Sequence, residues 1–280
     1  MKTVLIVGST STVGLSVGCL LGDGYKTYYA GRRNGDYFLD LESPDLTFSD
    51  DMHFDIIIHC ASSFGDKDEE SYCKTEKVNA LGTLNVCGLA KKVNADHLII
   101  ISTISATYKP GDPFYGIYSL SKRHADELSQ LYCCSHEIPL TILRPTQLYD
   151  AESKCRTHQE LFYLIIDKAQ AGDDICLFGS NDALRNLVFV DDLSEIILRV
   201  INQKITGIFN CQSQKPVRLS QIAKSAYSVF GTSGAVNFLT DKPRISDVPT
   251  FDECGLYSLI GFKPRSLVKG IEKIKQAREA

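Results

Sequence analysis

The amino-acid sequence predicts an α/β fold, a doubly wound parallel sheet with a smaller lobe towards the C-terminus. Short β-branched runs recur with helix-like stretches between them, which is typical of βαβ units around a parallel sheet. After Pro145 the apolar runs shorten, Arg and Lys are scattered, and turn residues become more frequent. The length of 280 residues suits one large α/β unit, or such a unit with an appendage.

The predicted strands are short runs of apolar and β-branched residues. In chain order they lie at residues 4–7, 27–30, 55–59, 98–102 and 140–143. The third and fourth runs are rich in isoleucine, so we expect them to be buried on both faces of the sheet. A helix over residues 119–135 is predicted to precede the fifth strand.

Composition and charge exclude several classes of protein. The 30 basic and 34 acidic side chains give a formal charge of -4, which argues against a nucleic-acid binder with a broad basic surface. No apolar run reaches the roughly 18 residues of a membrane helix, and the short apolar start is not a signal peptide. Ten cysteines without a secretory signal predict reduced thiols, so we expect a cytoplasmic protein without a metal site.

A glycine-containing turn follows the first predicted strand and leads into a helix-like stretch. Gly8 would make the turn, Gly14 would let the helix pack on the sheet, and Ser11 stands where a middle glycine is expected. Backbone N–H groups and the helix dipole at such a turn can face a pyrophosphate; a purely structural turn is the alternative. The residues predicted to contact a dinucleotide here are Gly8, Thr10, Ser11, Thr12, Val13 and Gly14.

The second predicted strand ends in two arginines, where dinucleotide-binding proteins place an acidic residue for the ribose of NAD. The guanidiniums of Arg32 and Arg33 suit the oxygens of a 2′-phosphate, so the pattern predicts NADP rather than NAD. Two solvated surface arginines are the alternative. Asp40 and Leu41 follow the next apolar run, where a carboxylate could accept a hydrogen bond from the adenine amine.

Tyr118 and Lys122 are one helical turn apart and share a helix face. A tyrosine hydroxyl has an ordinary pKa near about 10, and a neighbouring ammonium together with a positively charged nicotinamide would lower it. Tyr118 could then exchange a proton with a carbonyl or alcohol oxygen. The buried strand before this helix ends in Ser102 and Thr103, which can supply a hydroxyl to hold that oxygen.

Together these motifs resemble the extended short-chain dehydrogenases/reductases, in the NAD(P)-dependent epimerase/dehydratase group that acts on nucleotide sugars. Besides residues 8–14 and the pair Tyr118 and Lys122, further segments match the family pattern in the family's order, across nearly the whole chain. These segments lie at residues 59–62, 78–83, 143–145, 178–179, 185–192, 209–210 and 259–264.

The resemblance implies a Rossmann-like domain of residues 1–147 plus about 187–210. The rest, about 148–186 and 211–280, would form a discontinuous substrate-binding lobe. A nucleotide-sugar substrate is implied as well. Because a four-helix dimer interface is common among relatives, we also expect a homodimer.

The resemblance also assigns roles to individual residues. Thr103 is the catalytic hydroxyl that acts with Tyr118 and Lys122. Ser105 is a substrate contact that could replace Thr103, because the loop to Tyr108 is one residue longer than usual. The further cofactor contacts that it implies are Cys60, Ala61, Ser62, Asn79, Tyr118, Lys122 and Pro145.

Two arginines are implied to contact the substrate. Arg185 matches the family's arginine that reaches the diphosphate of the sugar nucleotide, with a pair to Asp182 or another surface carboxylate as the alternative. Arg144 lies in the segment that passes the nicotinamide.

The motif after the catalytic threonine departs from two subgroups of the family. Ile104 and Ser105 stand where dehydratases carry an Asp-Glu pair, and Ile104 stands where epimerase-reductases place a cysteine. We therefore expect an NADPH-dependent reductase of a 4-keto nucleotide sugar, in which Tyr118 protonates the oxygen. The alternatives are a nucleotide-sugar 4-epimerase with retained NAD and a catalytically silent NADP-sensing protein.

Overall fold

The computed structural model describes residues 1–43, 48–49, 52–65, 68–251 and 255–280. These residues form two compact units, which are described separately below. Within the described ranges, the first unit comprises Met1–Pro145, Leu193–Cys211 and residues 255–260. The second unit comprises Thr146–Asp192, residues 212–251 and Gly261–Ala280.

The strands are short, as is usual for sheets in α/β proteins. In chain order they are β1 (Lys2–Val7), β2 (Tyr25–Gly31), β3 (Tyr37–Phe38), β4 (Ile56–His59), β5 (His97–Ile101), β6 (Leu140–Pro145), β7 (Gln147–Tyr149), β8 (Ile175–Phe178), β9 (Leu184–Arg185), β10 (Leu187–Phe189), β11 (Gly207–Cys211), β12 (Val217–Arg218) and β13 (Val236–Leu239).

The α-helices follow the strands in βαβ fashion through most of the first unit. In chain order they are α1 (Thr12–Leu21), α2 (Glu69–Glu76), α3 (Gly82–Lys92), α4 (Ile117–Ser135), α5 (Glu160–Ala171), α6 (Val190–Gln203), α7 (Leu219–Phe230), α8 (Leu256–Ile260) and α9 (Leu267–Glu279). A π-helical stretch, Lys77–Leu81, precedes α3, and one turn of 3₁₀ helix, Ile104–Thr107, follows β5. No helix in the described part of the chain is long and apolar enough to cross a membrane.

Seven of the described strands form one parallel sheet in the order β11-β6-β5-β4-β1-β2-β3. From β1 the chain moves outwards to β2 and β3, and then returns to place β4 on the other side of β1. The strand order therefore reverses between β1 and β4. In sheets of this kind ligands bind beyond the carboxyl ends of the strands at that point. The arrangement confirms the predicted doubly wound fold.

The centre of the sheet carries the core of the first unit. Strands β4 and β5 are buried at every residue, as their isoleucine-rich runs predict for strands covered by helices on both faces. Leu5, Ile57 and Leu98, from three adjacent strands, pack in one cluster with Val86 and Leu89 of α3. Full burial of each such side chain contributes roughly 1.5–3 kcal/mol.

The second unit has a core of its own. Phe162 of α5, Ile222 of α7 and Ile271 of α9 are buried in it. Strands β7 and β10 are paired in parallel, as are β8 and β13, whereas β9 and β12 are antiparallel. The sequence places residues 187–192 with the first domain, but the structure puts them in the second unit, because β10 pairs with β7.

One carboxylate joins two parts of the second unit, and its removal should reduce stability. Asp167 of α5 accepts hydrogen bonds from Arg156 Nη1 and from Arg278 Nη2, each at 2.7 Å. Because these groups are partly exposed, we expect Asp167→Asn to lower the free energy of unfolding by about 1 kcal/mol, measured in urea. Asp241→Asn removes a carboxylate 3.9 Å from Lys242 and is the control that should change little. Equal losses in both variants would contradict this account.

Candidate active site

The turn after β1 requires a glycine at its first position. Gly8 has a φ of +110°, and a Cβ there would lie 2.8 Å from the backbone N of Ala61. The N–H of Gly8 donates to the carbonyl of Ala30 at 2.8 Å, and that of Cys60 donates to Val7 at 2.8 Å. The turn is therefore held between the ends of β2 and β4, where the strand order reverses.

Ser11 replaces the expected middle glycine and caps helix α1. Its Oγ accepts a hydrogen bond from the N–H of Gly14 at 3.3 Å, so the helix begins at Thr12. A Cβ on Gly14 would lie 2.9 Å from Cγ2 of Ile6, which explains the small residue there. The first helical turn carries no acidic side chain. This close-packed helix N-terminus, without a carboxylate to repel an anion, fits the pyrophosphate of a dinucleotide.

The other predicted contacts around this turn differ in exposure. Thr10 is exposed and Thr12 is half-buried, whereas the side chain of Val13 is buried, so Val13 can offer a cofactor only its backbone. Burial raises the pKa of the Cys60 thiol to about 12, which keeps it protonated. Ala61 lies directly against Gly8.

Asn79 anchors the loop that follows β4. Its Oδ1 accepts from the N–H of Ser63 at 2.7 Å, and its Nδ2 donates to the carbonyl of Ser63 at 2.7 Å and to Ser121 Oγ at 2.9 Å. The side chain is buried in the π-helical stretch, so these bonds tie that stretch to the loop and to α4. Asn79, predicted as a cofactor contact, uses its amide to fix the loop that contains Ser62.

The end of β2 carries an acidic partner that sequence reasoning missed. Nη1 of Arg32 lies 3.3 Å from Oε1 of Glu42, and the Arg32 side chain is 58% exposed. The ammonium of Lys74 is 4.0 Å from the same carboxylate oxygen. Glu42 lies ten residues beyond Arg32, so the short-range pattern gave no signal for the pair. Part of the Arg32 charge is thus already compensated within the protein.

The neighbouring residues shape the same loop. The carbonyl of Arg33 accepts a hydrogen bond from the Ser9 hydroxyl, which joins this loop to the glycine turn. Oδ1 of Asp40 accepts from the N–H of Glu42 at 3.1 Å, and Leu41 is buried in the core. The N–H of Ser43 also donates to the carbonyl of Asp40 at 3.1 Å, so Asp40 and Leu41 lie in a turn that Leu41 anchors in the core.

Thr103 and Tyr118 form the centre of the predicted catalytic group. The Thr103 hydroxyl is 3.2 Å from the Ser105 hydroxyl. Burial raises the pKa of Tyr118, the nearby hydroxyl of Thr103 lowers it, and the charge of Asp126 raises it. Phe64 stacks on the Tyr118 ring, with centroids 4.7 Å apart and an interplanar angle of 18°. No sequence motif had pointed to Phe64.

Lys122 lies one turn further along α4 and is 1% exposed. Its Nζ donates to the carbonyl of Ile101 at 2.8 Å. Burial lowers the pKa of Lys122, and the charge of Asp126 raises it. The sequence predicts that Lys122 lowers the pKa of Tyr118; in the structure burial has the larger effect and that pKa is raised, while the ammonium is directed at Ile101.

Arg144, predicted as a substrate contact, forms a buried ion pair. Its Nε lies 2.7 Å from Oδ2 of Asp126, and the two side chains are 18% and 1% exposed. Burial raises the pKa of Asp126, whereas Arg144 and the Ser102 hydroxyl lower it. Sequence reasoning missed Asp126, although its position four residues after Lys122 places it on the same helix face.

Pro145 and Arg185 complete the predicted set. Pro145 ends β6, in register with Cys211 of β11. Arg185 is 8% exposed, and its Nη1 donates to the carbonyls of Leu184 at 2.7 Å and Ser246 at 2.9 Å. The Asp182 carboxylate accepts hydrogen bonds from the first turn of α7, and the charge of another carboxylate, Asp247, raises the pKa of Arg185 against the effect of burial.

A glycine turn at the switch point of a parallel sheet, with Thr103, Tyr118 and Lys122 grouped in the same unit, defines an NAD(P)-binding enzyme of the extended short-chain dehydrogenase/reductase class. The sequence profile of the NAD dependent epimerase/dehydratase family matches residues 4–211. The chain belongs to this family, as its motifs predict.

Comparison with individual proteins agrees with the family. The chain is 24% identical over 255 residues to a Methanocaldococcus jannaschii protein provisionally named as a UDP-glucose 4-epimerase, covering 85% of this chain and 82% of that protein. It is 25% identical over 270 residues to UDP-glucuronic acid decarboxylase 1 of Xenopus tropicalis, covering 86% of this chain and 63% of that relative. The structure of Thermotoga maritima UDP-glucose 4-epimerase with UDP-glucose superposes with a TM-score of 0.80 at 17% identity, covering 99% of each chain. At that identity the likeness shows the fold.

Proposed function

We propose that this protein is an NAD(P)H-dependent reductase that converts the 4-keto group of a nucleotide sugar to an alcohol. The observation that carries the proposal is the grouping of the Thr103 and Tyr118 hydroxyls, in which Thr103 lowers the pKa of Tyr118, with Lys122 one turn along the helix. Such a group is suited to protonating a carbonyl oxygen. The family and the names of its relatives support a nucleotide sugar as the substrate class.

A nicotinamide bound beside this group would supply the hydride. Because burial raises the pKa of Tyr118, its hydroxyl stays protonated until the substrate oxygen takes the proton. The Thr103 hydroxyl and the Lys122 ammonium then stabilise the phenolate that remains. Phe64 covers one face of the tyrosine ring and keeps water from it.

The proposal includes NADP as the cofactor, with Arg32 and Arg33 contacting the 2′-phosphate. We expect NADPH to bind about tenfold more tightly than NADH, and Arg32→Ala to remove most of this difference, because a charge-assisted hydrogen bond contributes about 1.5–3 kcal/mol. Glu42→Gln should strengthen NADPH binding, since it frees Arg32 from its present partner. Nicotinamide fluorescence titrations measure all three affinities. Equal affinities for NADPH and NADH in the wild type would contradict NADP.

A nucleotide-sugar 4-epimerase is the second candidate. Epimerases of the family oxidise and re-reduce one carbon with a retained NAD, and the pairing of Glu42 with Arg32 reduces the positive charge available to a 2′-phosphate. The names of two of the three proteins compared above also favour it.

A screen of 4-keto and 4-hydroxy nucleotide sugars separates the candidates. A reductase oxidises one NADPH for each keto sugar consumed. An epimerase interconverts 4-hydroxy sugars without net change in the cofactor. A silent NADP-binding protein binds the cofactor and does neither, which would overturn the proposal.

The proposal has further parts that need their own tests. The second unit would supply substrate contacts, with Arg185 binding the diphosphate. A homodimer is tested by light scattering on the purified protein, and a cytoplasmic location by cell fractionation.

A further inference from the structure

The exit of β5 contacts three side chains of α4 that are spaced four residues apart. The carbonyl of Ile101 accepts from Lys122 Nζ at 2.8 Å. The hydroxyls of Ser102 and Thr103 lower the pKa values of Asp126 and Tyr118, respectively. Tyr118, Lys122 and Asp126 thus occupy three successive turns of one helix face at this strand exit, two of which carry the proposed chemistry. Asp126 is the third, and the proposed reaction assigns it nothing.

Asp126 is a fully buried carboxylate with one close cationic partner. It is 0% exposed, and Nε of Arg144, from strand β6, lies 2.7 Å from its Oδ2. A buried carboxylate is expensive to keep charged unless a cation and hydrogen-bond donors compensate it. Arg144 supplies the cation at Oδ2, whereas Oδ1 of Asp126 has no hydrogen-bond partner among the described residues. Arg144 and the nearby Ser102 hydroxyl both lower the pKa of Asp126 against the effect of burial.

Asp126 and Lys122 are four residues apart on one face of α4, and both are buried, so the carboxylate and the ammonium lie on the same side of the helix without solvent to screen them. In agreement with this placement, burial lowers the pKa of the lysine and Asp126 is the largest influence that raises it. Burial, together with the charge of Lys122, lowers the pKa of His59 to about 3, so that imidazole is neutral and offers no second positive charge. Five charged or titratable groups surround Lys122 and Asp126. Helix α4 contributes Tyr118 and Asp126 itself, β4 and its exit contribute His59 and Cys60, and β6 contributes Arg144.

We propose that Asp126 is a positioning residue of the active site. Held in place by Arg144, its carboxylate keeps the Lys122 side chain charged and directed at Ile101. Asp126 does not touch the reacting atoms. The contribution of Asp126 to turnover rests on the proposed function, in which Tyr118 is the proton donor. The effect of Asp126 on Lys122 is independent of that function. The alternative is that the pair between Asp126 and Arg144 only ties α4 to β6.

The charge of Lys122 can be followed directly by NMR. Protein labelled with ¹³C at the lysine ε carbon gives a Lys122 signal, assigned by its loss in Lys122→Arg. We expect Asp126→Asn to lower the pH at which this signal titrates by about one unit or more, as for removal of a close opposite charge. Asp126→Glu keeps a carboxylate and should titrate near the wild type. Asp55→Asn removes a carboxylate that bonds Thr3 elsewhere in the sheet, and should leave the signal unmoved.

Kinetics supply a second readout with any substrate found in the screen. In Asp126→Asn the alkaline limb of the kcat profile should move to lower pH, since loss of the carboxylate makes both Lys122 and Tyr118 lose their protons earlier. Asp126→Glu should restore the profile. If the wild type turns over no nucleotide sugar, the proposed function fails, while the NMR titration still decides on Asp126.

A structural role alone would give a different result. If Lys122 in folded Asp126→Asn titrates as in the wild type, the proposal is overturned. Should that variant fail to fold, the double variant Asp126→Leu/Arg144→Met removes both charges and leaves an apolar contact that proteins tolerate well. It should show the same lowered titration of Lys122, and an unchanged titration there would equally overturn the proposal.

Discussion

Replacing Tyr118 with phenylalanine should lower turnover by about 10²-fold or more, the usual loss when a general acid is removed. The substitution deletes one hydroxyl and keeps the ring, so the stack with Phe64 is retained and the fold should not change. Thr103 loses its partner but keeps its contact with Ser105. The expected result is therefore a fall in kcat, with unchanged thermal stability and unchanged cofactor affinity.

The measurement compares kcat with any substrate found in the screen, alongside NADPH affinity and Tm. Tyr115→Phe is the matched control, because it removes a tyrosine hydroxyl three residues away, on a ring that lies 6.0 Å from the guanidinium carbon of Arg123. It should leave kcat within a few-fold of the wild type. If Tyr118→Phe retains near-normal turnover while Tyr115→Phe loses it, then Tyr115 is the proton donor.

Sequence patterns predicted the sheet well because its central strands are buried on both faces. A parallel strand covered by helices on both faces is mostly apolar, so residues 56–59 and 97–101 stand out as nearly continuous apolar runs, each with one histidine at a strand end. The two-residue strand β3 at the edge has no such signal, because Phe38 is exposed and the strand is only two residues long. The strands that pair within the second unit have only two to four residues, so they too give little signal in the sequence.

In the candidate site, too, some residues could be predicted from local sequence patterns and others could not. Gly8, Tyr118 and Lys122 could be identified because local spacing carries their chemistry: a turn requires glycine, and one helical turn brings the two side chains together. Glu42 and Asp126 were missed because their importance depends on arginines that are distant in the sequence. Contacts of that kind are set by how the strands and helices pack, and composition or periodicity does not reveal them.

Arg144 has two possible roles: the sequence predicts a substrate contact, whereas the structure shows an ion pair with Asp126. As a substrate contact, it would contribute to KM; as the partner of Asp126, it compensates a buried carboxylate. Removing one member of a buried ion pair leaves the other charge uncompensated, so Arg144→Met should lower the free energy of unfolding by about 3–5 kcal/mol. Urea unfolding measures this change.

Arg156→Met is the matched control, because Arg156 also pairs with a carboxylate at 2.7 Å, but both of those side chains are about two-fifths exposed, at 42% and 40%. Exposed pairs contribute about 0–1 kcal/mol, so its cost should be several-fold smaller than that of Arg144→Met. The double variant Asp126→Asn/Arg144→Met removes both charges and should recover much of the loss, because no uncompensated carboxylate is left buried. If Arg144→Met costs no more than the control and instead raises KM for the nucleotide sugar, Arg144 acts on the substrate and Asp126 is compensated by other groups.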